Sequence, residues 1–419
     1  MSPIGAPVPE VTPDEMPTLA AGTDRPSSQG AGVDSTGAWI VVAATFLATF
    51  TVFGVVYSFG AFFTSMADDF GTGKGATAFM FSITTAWYFS LGLFSGRITD
   101  RLGPRPVLLA AAVALGVGLV ATSRVSSIWL GYVTYGVGVG TAVACAYVPM
   151  VATVGGWFAR RRTAALGVSV AGIGMGTLVM APVSEALIDR YGWRTAYVVL
   201  AIGGSGLLLV ASFGARRPPL AASQQPASIR RVVRDRGFVI VYVASVLVSL
   251  ALFVPFVFIK SYAEDHGIGS GAAATLVGVI GGASIVGRLG LGGLASRLGS
   301  LRVMQASFVV MAASFVLWLV AGSSFAVLIV FAIVMGVGYG GFIALAPAVI
   351  ATLYGTRDLG AILGALYTAA AIGGLIGPPV AGEVIDRVSY GAAIVLAMAL
   401  TAAAAGVLFR LSPRHTHST

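Results

Sequence analysis

Residues 96–105 read GRITDRLGPR, and residues 292–302 read GGLASRLGSLR, a degenerate copy of the same pattern. The first stretch has a fixed spacing of glycines and charges: Gly96, Asp100, Arg101, Gly103 and Arg105. In the copy, Ser296 takes the place of the aspartate and one residue is inserted. Each stretch lies between two long apolar runs. Further along, Asp189-Arg190 recurs as Asp386-Arg387, 197 residues later. The chain therefore repeats one arrangement twice, in the same order.

The composition is that of a membrane protein. Hydrophobic residues make up 57% of the 419 residues and charged residues only 10%, against roughly 25% in soluble domains. The 56 glycines suit transmembrane helices whose backbones approach closely. The bilayer is therefore an expected partner, because it accepts helices with about 20 consecutive apolar residues.

Twelve apolar runs predict twelve transmembrane helices, six on each side of a basic loop. The runs cover residues 38–64, 76–97, 106–123, 127–156, 163–188, 194–214, 237–262, 271–295, 302–322, 324–353, 359–385 and 390–411. The predicted units are a disordered tail (1–37), a first six-helix bundle (38–214), a linker (215–236), a second bundle (237–411) and a short tail (412–419). Kinks are expected at the prolines within runs: Pro149, Pro182, Pro255, Pro347, Pro378 and Pro379.

The distribution of basic residues predicts the orientation. Seventeen arginines fall in the even-numbered connections and the two tails, on one side of the membrane. The other side is assigned six basic residues: Lys74, Arg124, Arg190, Arg194, Lys260 and Arg387. By the positive-inside rule both termini are expected in the cytoplasm, with the protein in the cell membrane. The net charge of +9 then needs no nucleic-acid partner.

The sequence argues against an enzyme. Cys145 is the only cysteine and lies in an apolar run, so no disulfide framework or Cys/His metal site is expected. The glycine-rich stretch at residues 336–341 lacks the strand and acidic residue of a nucleotide-binding motif, which favours close helix packing instead. No cofactor and no obligatory protein partner are predicted.

The motif at residues 96–105 resembles the hallmark of the major facilitator superfamily, in which it lies between the second and third helices. With twelve runs and the internal repeat, the resemblance extends over nearly everything after residue 34. It implies an all-α membrane protein of twelve helices in two pseudo-symmetric six-helix bundles, which rock about a central site. The motif residues are then expected to act as a cytoplasmic gate.

Three further segments resemble the monocarboxylate transporter subfamily. They are residues 34–39 (DSTGAW), 57–63 (YSFGAFF) and 157–162 (WFARRR), although Ser35 and Thr36 stand where glycines are usual. This resemblance implies transport of a small carboxylate such as lactate or pyruvate, and leaves coupling to protons open.

Arg288 is the main candidate for the substrate-binding residue. It is the one basic residue assigned to the interior of a run, where a charge is costly unless it faces a wet cavity or a partner. A guanidinium fits a carboxylate with two parallel hydrogen bonds. Monocarboxylate transporters carry a substrate-binding arginine at the matching place. Snorkelling of Arg288 to the membrane surface is the alternative.

Ser284 lies one helical turn from Arg288, where mammalian-type relatives have an aspartate thought to carry the coupled proton. A serine can hydrogen-bond a substrate but does not carry a proton at ordinary pH. Aromatic residues on the expected pore-lining helices complete the predicted site: Tyr57, Tyr88, Tyr147 and Phe342. Glu185 and Glu383 are expected near the outer helix ends, solvated or paired with Arg190 and Arg387.

Two transporter classes remain as alternatives. A proton-driven drug or metabolite exporter would be expected to carry a Gly-Pro motif in the fifth helix and a buried carboxylate, and the sequence predicts neither. An oxalate/formate-type exchanger would be expected to carry a second basic residue deep in the eleventh helix, and none is present.

Overall fold

The structure is a computed structural model, and it describes residues 33–219, 232–355 and 359–411. Within these ranges the chain is built from helices. The first six are α1 (Thr36–Phe70), α2 (Lys74–Leu102), α3 (Pro104–Thr122), α4 (Ile128–Trp157), α5 (residues 162–191) and α6 (residues 193–214). The second six are α7 (Arg236–Asp265), α8 (Ser270–Leu298), α9 (Ser300–Ala321), α10 (Phe325–Tyr354), α11 (Leu359–Arg387) and α12 (Tyr390–Leu408).

Helices α5 and α6 run on from one another and are separated only by a kink. Gly192 lies at the junction with φ 78° and ψ 158°, a conformation that glycine adopts without strain. A straight helix of 53 residues would be about 80 Å long, far more than a hydrocarbon core of about 30 Å. The kink therefore separates two membrane spans, which completes the twelve predicted helices.

Three helices break near the middle of the bundle. Helix α1 is interrupted at Ser58, α4 at Tyr147 and α7 at Phe253. Pro149 and Pro255 lie two residues after the second and third breaks. Proline has no backbone N–H, so it removes a hydrogen bond to the preceding turn and favours a break there. The break in α1 has no proline and was not predicted. Pro182, Pro347 and Pro378–Pro379 instead lie inside continuous helices.

Glycines allow the first six helices to pack closely against the second six. A Cβ on Gly174 of α5 would lie 2.5 Å from the carbonyl oxygen of Gly281 in α8. A Cβ on Gly382 of α11 would meet the backbone of Gly75 in α2 at 2.6 Å. These approaches leave no space for a side chain, and they join α5 to α8 and α2 to α11.

The two ends of the molecule are named here by their position. The tail side is the end where α1 begins and α12 ends, and the far side is the opposite end, which contains Lys74 and Asp265. At the far side α2 meets α11 and the outer part of α1 meets α7, as in the contact of Gly60 with the carbonyl of Phe256. The domain boundaries stay a prediction, and most of the linker and both tails lie outside the described residues.

Candidate functional site

A cavity lies between the two sets of helices at the depth of the helix breaks. Its empty volume is about 690 Å³, including the part open to solvent. Nine of the seventeen described residues that line it are aromatic: Phe53, Tyr57, Tyr88, Phe89, Tyr147, Phe253, Tyr339, Phe342 and Tyr367. Five of these come from α1, α2 and α4, and four from α7, α10 and α11. Both halves of the chain therefore form the wall.

Phe53 of α1 lies at the centre of the aromatic wall. Its ring centroid is 5.0 Å from that of Tyr147 and 5.9 Å from that of Tyr88, both in edge-to-face geometry. The two tyrosines thus pack around one phenyl ring in an arrangement that aromatic quadrupoles favour. The break at Tyr147, which Pro149 enforces, places that side chain at the wall.

Tyr57 and Tyr339 connect the two halves across the cavity. Their hydroxyl oxygens are 3.3 Å apart, which is within hydrogen-bond distance. Tyr57 also stacks on Phe256 of α7, with ring centroids 4.4 Å apart. The end of the cavity towards the far side is therefore closed by rings from α1, α7 and α10.

Arg288 of α8 is 8% exposed and is not itself among the residues that line the cavity; it lies against Tyr339, which does line it. Its Nη1 donates a hydrogen bond of 2.7 Å to the carbonyl oxygen of Val170 in α5. Its guanidinium carbon is 5.6 Å from the ring centroid of Tyr339. The side chain is thus fixed between the halves, away from the membrane surface.

Two of the donors of Arg288 are buried with no hydrogen-bond partner among the residues that the structure describes. They are Nε and Nη2, which lie along one edge of the planar guanidinium. Buried polar groups are paired in the great majority of cases, so a pair of unsatisfied donors needs an explanation. An edge of two parallel N–H groups matches the two oxygens of a carboxylate.

Ser284 is not among the residues that line the cavity. It is fully buried, and its Oγ donates to the carbonyl oxygen of Gly281 at 2.6 Å. A Cβ on Gly174 would lie 3.1 Å from this Oγ, so the hydroxyl faces the α5–α8 contact. In this conformation its donor is used within its own helix.

The other predicted site residues meet in one place. Tyr57, Tyr88, Tyr147 and Phe342 all line the cavity. Residues that the sequence reasoning missed include Phe53, Tyr339, Ser245 and Ser249. Tyr339 lies within the glycine-rich stretch of α10, which was interpreted as a packing feature only. The two serines lie one turn apart on α7, and their spacing of four residues was the available signal.

A buried charge cluster lies towards the far side of the cavity. Nζ of Lys260 on α7 is 2.9 Å from Oε2 of Glu185 on α5 and 3.0 Å from Oε1 of Glu264, one turn further on α7. It also donates to the carbonyl oxygen of Ala61 at 3.2 Å. Thr64 of α1 donates to Glu264 at 3.3 Å. Helices α1, α5 and α7 are thus joined by one ammonium group.

This cluster corrects two expectations from the sequence. Lys260 was assigned to an outer connection, but it lies inside α7 and is 3% exposed, so Arg288 is not the one basic residue within a span. Glu185 was expected in solvent or paired with Arg190, but it is equally buried and pairs with Lys260. The opposing charge on another helix explains the difference, since pairing makes burial tolerable. Glu383 does pair with Arg387, as expected.

The residues of the tail-side motif lie at the junction of α2 and α3: Gly96, Asp100, Arg101, Gly103 and Arg105. Gly103 separates the two helices with φ 92°, a conformation that favours glycine. The carbonyl oxygen of Arg101 accepts a hydrogen bond of 2.8 Å from Nη2 of Arg217, and the guanidinium of Arg105 lies 5.3 Å from the ring of Phe213. These contacts bind the junction to the end of α6.

Comparison with known proteins identifies the family. The sequence model of the Major Facilitator Superfamily matches residues 45–305 and 241–419. The chain belongs to the major facilitator superfamily. Its similarity to monocarboxylate transporters places it with that subfamily. It is 31% identical to Monocarboxylate transporter 3 of Rattus norvegicus over 386 residues, which cover 88% of this chain and 78% of the relative.

Other members of the superfamily are similar in sequence or in structure. Monocarboxylate transporter 13 of Rattus norvegicus is 29% identical over 382 residues, with 89% of this chain and 88% of the relative covered. A bacterial homolog of the human lysosomal transporter Spinster, in an inward-facing and occupied conformation, has a TM-score of 0.70 at 13% identity. That match covers 90% of this chain and 98% of the homolog and supports the fold. This chain is therefore a multi-pass membrane transporter and not an enzyme.

Proposed function

We propose that this transporter carries small monocarboxylates, of the lactate or pyruvate type, by alternating access. The observation that carries the proposal is the edge of Arg288 formed by Nε and Nη2, which is buried beside the cavity without a hydrogen-bond partner among the described residues. The relatives named monocarboxylate transporters support the same substrate class.

The geometry suits a single carboxylate. The hydrogen bond from Nη1 to Val170 fixes the guanidinium plane, so the free edge is already oriented when a substrate arrives. Preorganised donors of this kind lose little entropy on binding. The bound carboxylate would neutralise a buried positive charge, which is costly when alone. Substrate binding would thereby stabilise the closed intermediate through which the halves must pass.

Coupling to protons is a separate part of the proposal. Ser284 replaces the acidic neighbour of Arg288, and its hydroxyl is bonded to Gly281, so this helix offers no carboxyl group near the arginine. Uptake of the acid together with a proton therefore requires either entry of the protonated acid or another titratable group. Glu185 is a buried carboxyl group between the halves, but its pairing with Lys260 favours entry of the protonated acid as the route.

The orientation follows from the arginine distribution. With the tail side in the cytoplasm of the cell, the far side faces outwards. Contacts between the halves are described at the middle, as between Gly174 and Gly281, and at the far side, as between Gly75 and Gly382 and in the pair formed by Lys260 and Glu185. We infer that the chain is in an inward-facing state, with its outer gate closed and both termini cytoplasmic.

An exporter is the second candidate function, and one observation favours it. Glu185 is the buried carboxylate that the sequence did not predict, and such a group is expected where protons drive export. Its pairing with Lys260 weakens this alternative, because a carboxylate held by an ammonium group is less free to exchange protons.

The test is uptake of labelled lactate and pyruvate into proteoliposomes, with and without an inward proton gradient. Wild type is expected to transport both, and Arg288→Ala to lose transport. Arg410→Ala is the matched control, since this arginine is exposed at the end of α12. Retained uptake in Arg288→Ala would contradict the assigned role. No uptake by wild type, beside an unrelated carrier that works, would exclude these substrates and favour the exporter.

A further inference from the structure

The aromatic content of the cavity wall exceeds what a three-carbon acid needs. Lactate and pyruvate offer one methyl group to an apolar surface, whereas nine aromatic side chains line this cavity. The wall therefore points to a substrate with a sizeable flat apolar body.

The rings are held in fixed orientations that suit a flat ligand. Phe53 makes edge-to-face contacts with Tyr88 and Tyr147, so these rings stand at steep angles to one another. On the other half, Tyr339 packs edge-on against Phe256, and Phe342 packs against Phe308. Because these rings stand at steep angles to one another, an aromatic ligand would meet rings in more than one orientation.

Two hydroxyl groups in the wall provide further polar sites. Ser245 and Ser249 line the cavity one turn apart on α7. The Oγ atoms of both are buried, and neither has a hydrogen-bond partner among the residues that the structure describes. Hydroxyl groups donate and accept, so they match a carbonyl or a hydroxyl group on the ligand. A second oxygen near the carboxylate of the substrate would satisfy them.

We propose that the preferred substrates are aryl-substituted 2-oxo or 2-hydroxy acids, with the carboxylate on Arg288 and the ring in the aromatic wall. The 2-oxygen would bond to Ser245 or Ser249. The charge anchor is on α8 of the second half, whereas Phe53, Tyr88 and Tyr147 belong to the first half. One ligand thus contacts both halves, which ties its binding to their movement. This inference rests on the proposed function.

Matched pairs of acids test the inference. Phenylpyruvate and pyruvate differ only by a phenyl ring, as do 3-phenyllactate and lactate. We expect the KM of each aryl acid in proteoliposomes to be lower by roughly tenfold or more, since a buried ring removes much apolar surface from water. Empty liposomes correct for passive entry. Phenethylamine, which has the ring but a positive charge, is expected not to be transported.

Substitution of Phe53, the central ring of the wall, tests the contribution of the phenyl ring of the substrate separately from that of its carboxylate. Phe53→Leu is expected to raise the KM for phenylpyruvate severalfold, and by a larger factor than it raises the KM for pyruvate. Phe331→Leu is the control, because this buried ring packs against Phe315 and Trp318 away from the cavity. The double variant Ser245→Ala with Ser249→Ala is expected to raise the KM for phenylpyruvate more than the KM for 3-phenylpropionate, which lacks the 2-oxygen.

The outcomes distinguish this inference from the proposed function. Equal KM values within each pair, or exclusion of the aryl acids, would overturn the inference and leave monocarboxylate transport intact. Failure of every carboxylate would instead refute the proposed function. Ligand-dependent thermal stabilisation in detergent adds a readout of binding. Stabilisation by phenylpyruvate without its transport would identify a blocker and also overturn the inference.

Discussion

Nζ of Lys260 lies 2.9 Å from Oε2 of Glu185, and the two residues belong to different halves of the transporter. Both side chains are about 4% exposed, so the pair is shielded from water and from screening by salt. Lys260 keeps a second carboxylate, Glu264, on its own helix at 3.0 Å. Separation of the halves at the far side would therefore break the Glu185 contact and leave the Glu264 contact in place. We therefore expect the cluster to act as a latch that holds the far side closed.

Glu185→Gln is expected to loosen this latch. The charge attraction between the halves is lost, while Lys260 keeps Glu264. Phe63 of α1 packs against Phe258 of α7 at 5.2 Å and is buried behind the latch. In a Cys145→Ala background, labelling of Phe63→Cys by a membrane-impermeant maleimide from the far side reports opening. We expect the labelling rate to rise about tenfold, within the range of typical coupling energies.

Asp69→Asn is the control for this experiment. It removes an ion pair of 2.6 Å with Arg194 that lies at the far side but within the first half. The labelling rate is expected to stay at the parent value. Unchanged labelling in Glu185→Gln would show that the pair does not hold the gate.

Arg288→Lys is expected to transport almost as poorly as Arg288→Ala. Lysine keeps the positive charge but has no planar fork, so it cannot hold a carboxylate with two parallel hydrogen bonds. It also cannot bond Val170 and substrate in the same fixed geometry. We expect kcat/KM for the carboxylate to fall roughly a hundredfold, about 2.7 kcal/mol. Initial rates across substrate concentrations measure this, and near-normal kcat/KM would mean that charge alone suffices.

Asp34 binds the start of α1 to the connection between α4 and α5. Its carboxylate accepts hydrogen bonds from the backbone N–H groups of Arg160 at 3.0 Å and Arg161 at 3.3 Å. These bonds, that of Arg160 first, hold the pKa of Asp34 below its ordinary value. Because its pKa is lowered in the folded protein, the ionised carboxylate of Asp34 stabilises the fold. This stabilisation is complete above the ordinary aspartate pKa and is lost as the pH falls through the lowered value.

Asp34→Asn is therefore expected to have the same effect on this junction as protonation of the carboxylate. Asn tolerates the positive φ of 57° at this position, so the substitution removes charge without adding backbone strain. The protection of the amides of residues 159–161 against hydrogen exchange, relative to their intrinsic exchange rates, should fall at neutral pH and no longer change as the pH is lowered through the pKa of Asp34. Exchange that is as slow as in the parent at neutral pH would contradict the role of the charge.

Gly174→Ala is expected to weaken the contact between α5 and α8. The new Cβ would lie 2.5 Å from the carbonyl oxygen of Gly281, which is backbone and cannot rotate away. Overpacking of this kind costs about 1–3 kcal/mol. We expect a lower Tm and faster labelling at residue 63. Gly203→Ala in α6, where no atom lies within 4 Å, is the control and should leave both values unchanged.

The sequence predicts the twelve helices well because long apolar runs have few alternatives in a membrane. It also predicts that Tyr57, Tyr88, Tyr147 and Phe342 face one cavity, since the resemblance to known transporters indicates which helices line it. The break in α1 at Ser58 carried no such signal, as no proline marks it. Helix breaks without proline depend on tertiary contacts.

The buried charges show why the rest of the site was harder to predict. Glu185 and Lys260 are 75 residues apart, and each alone resembles a residue near a helix end. Their burial makes sense only when α5 and α7 are placed side by side, which sequence patterns within one helix do not specify. The unsatisfied edge of Arg288 likewise depends on Val170 taking the third donor group.

The breaks in α1, α4 and α7 divide each of these helices into two segments that can tilt separately. Phe59–Phe70 and Val254–Asp265 are the far-side segments of α1 and α7, and Gly60 meets the carbonyl oxygen of Phe256 between them. We expect these segments to bend at Ser58 and Phe253 when the far side opens, while the tail-side segments of the same helices keep their place. Local bending of two short helix segments would then add to the movement of the two six-helix halves.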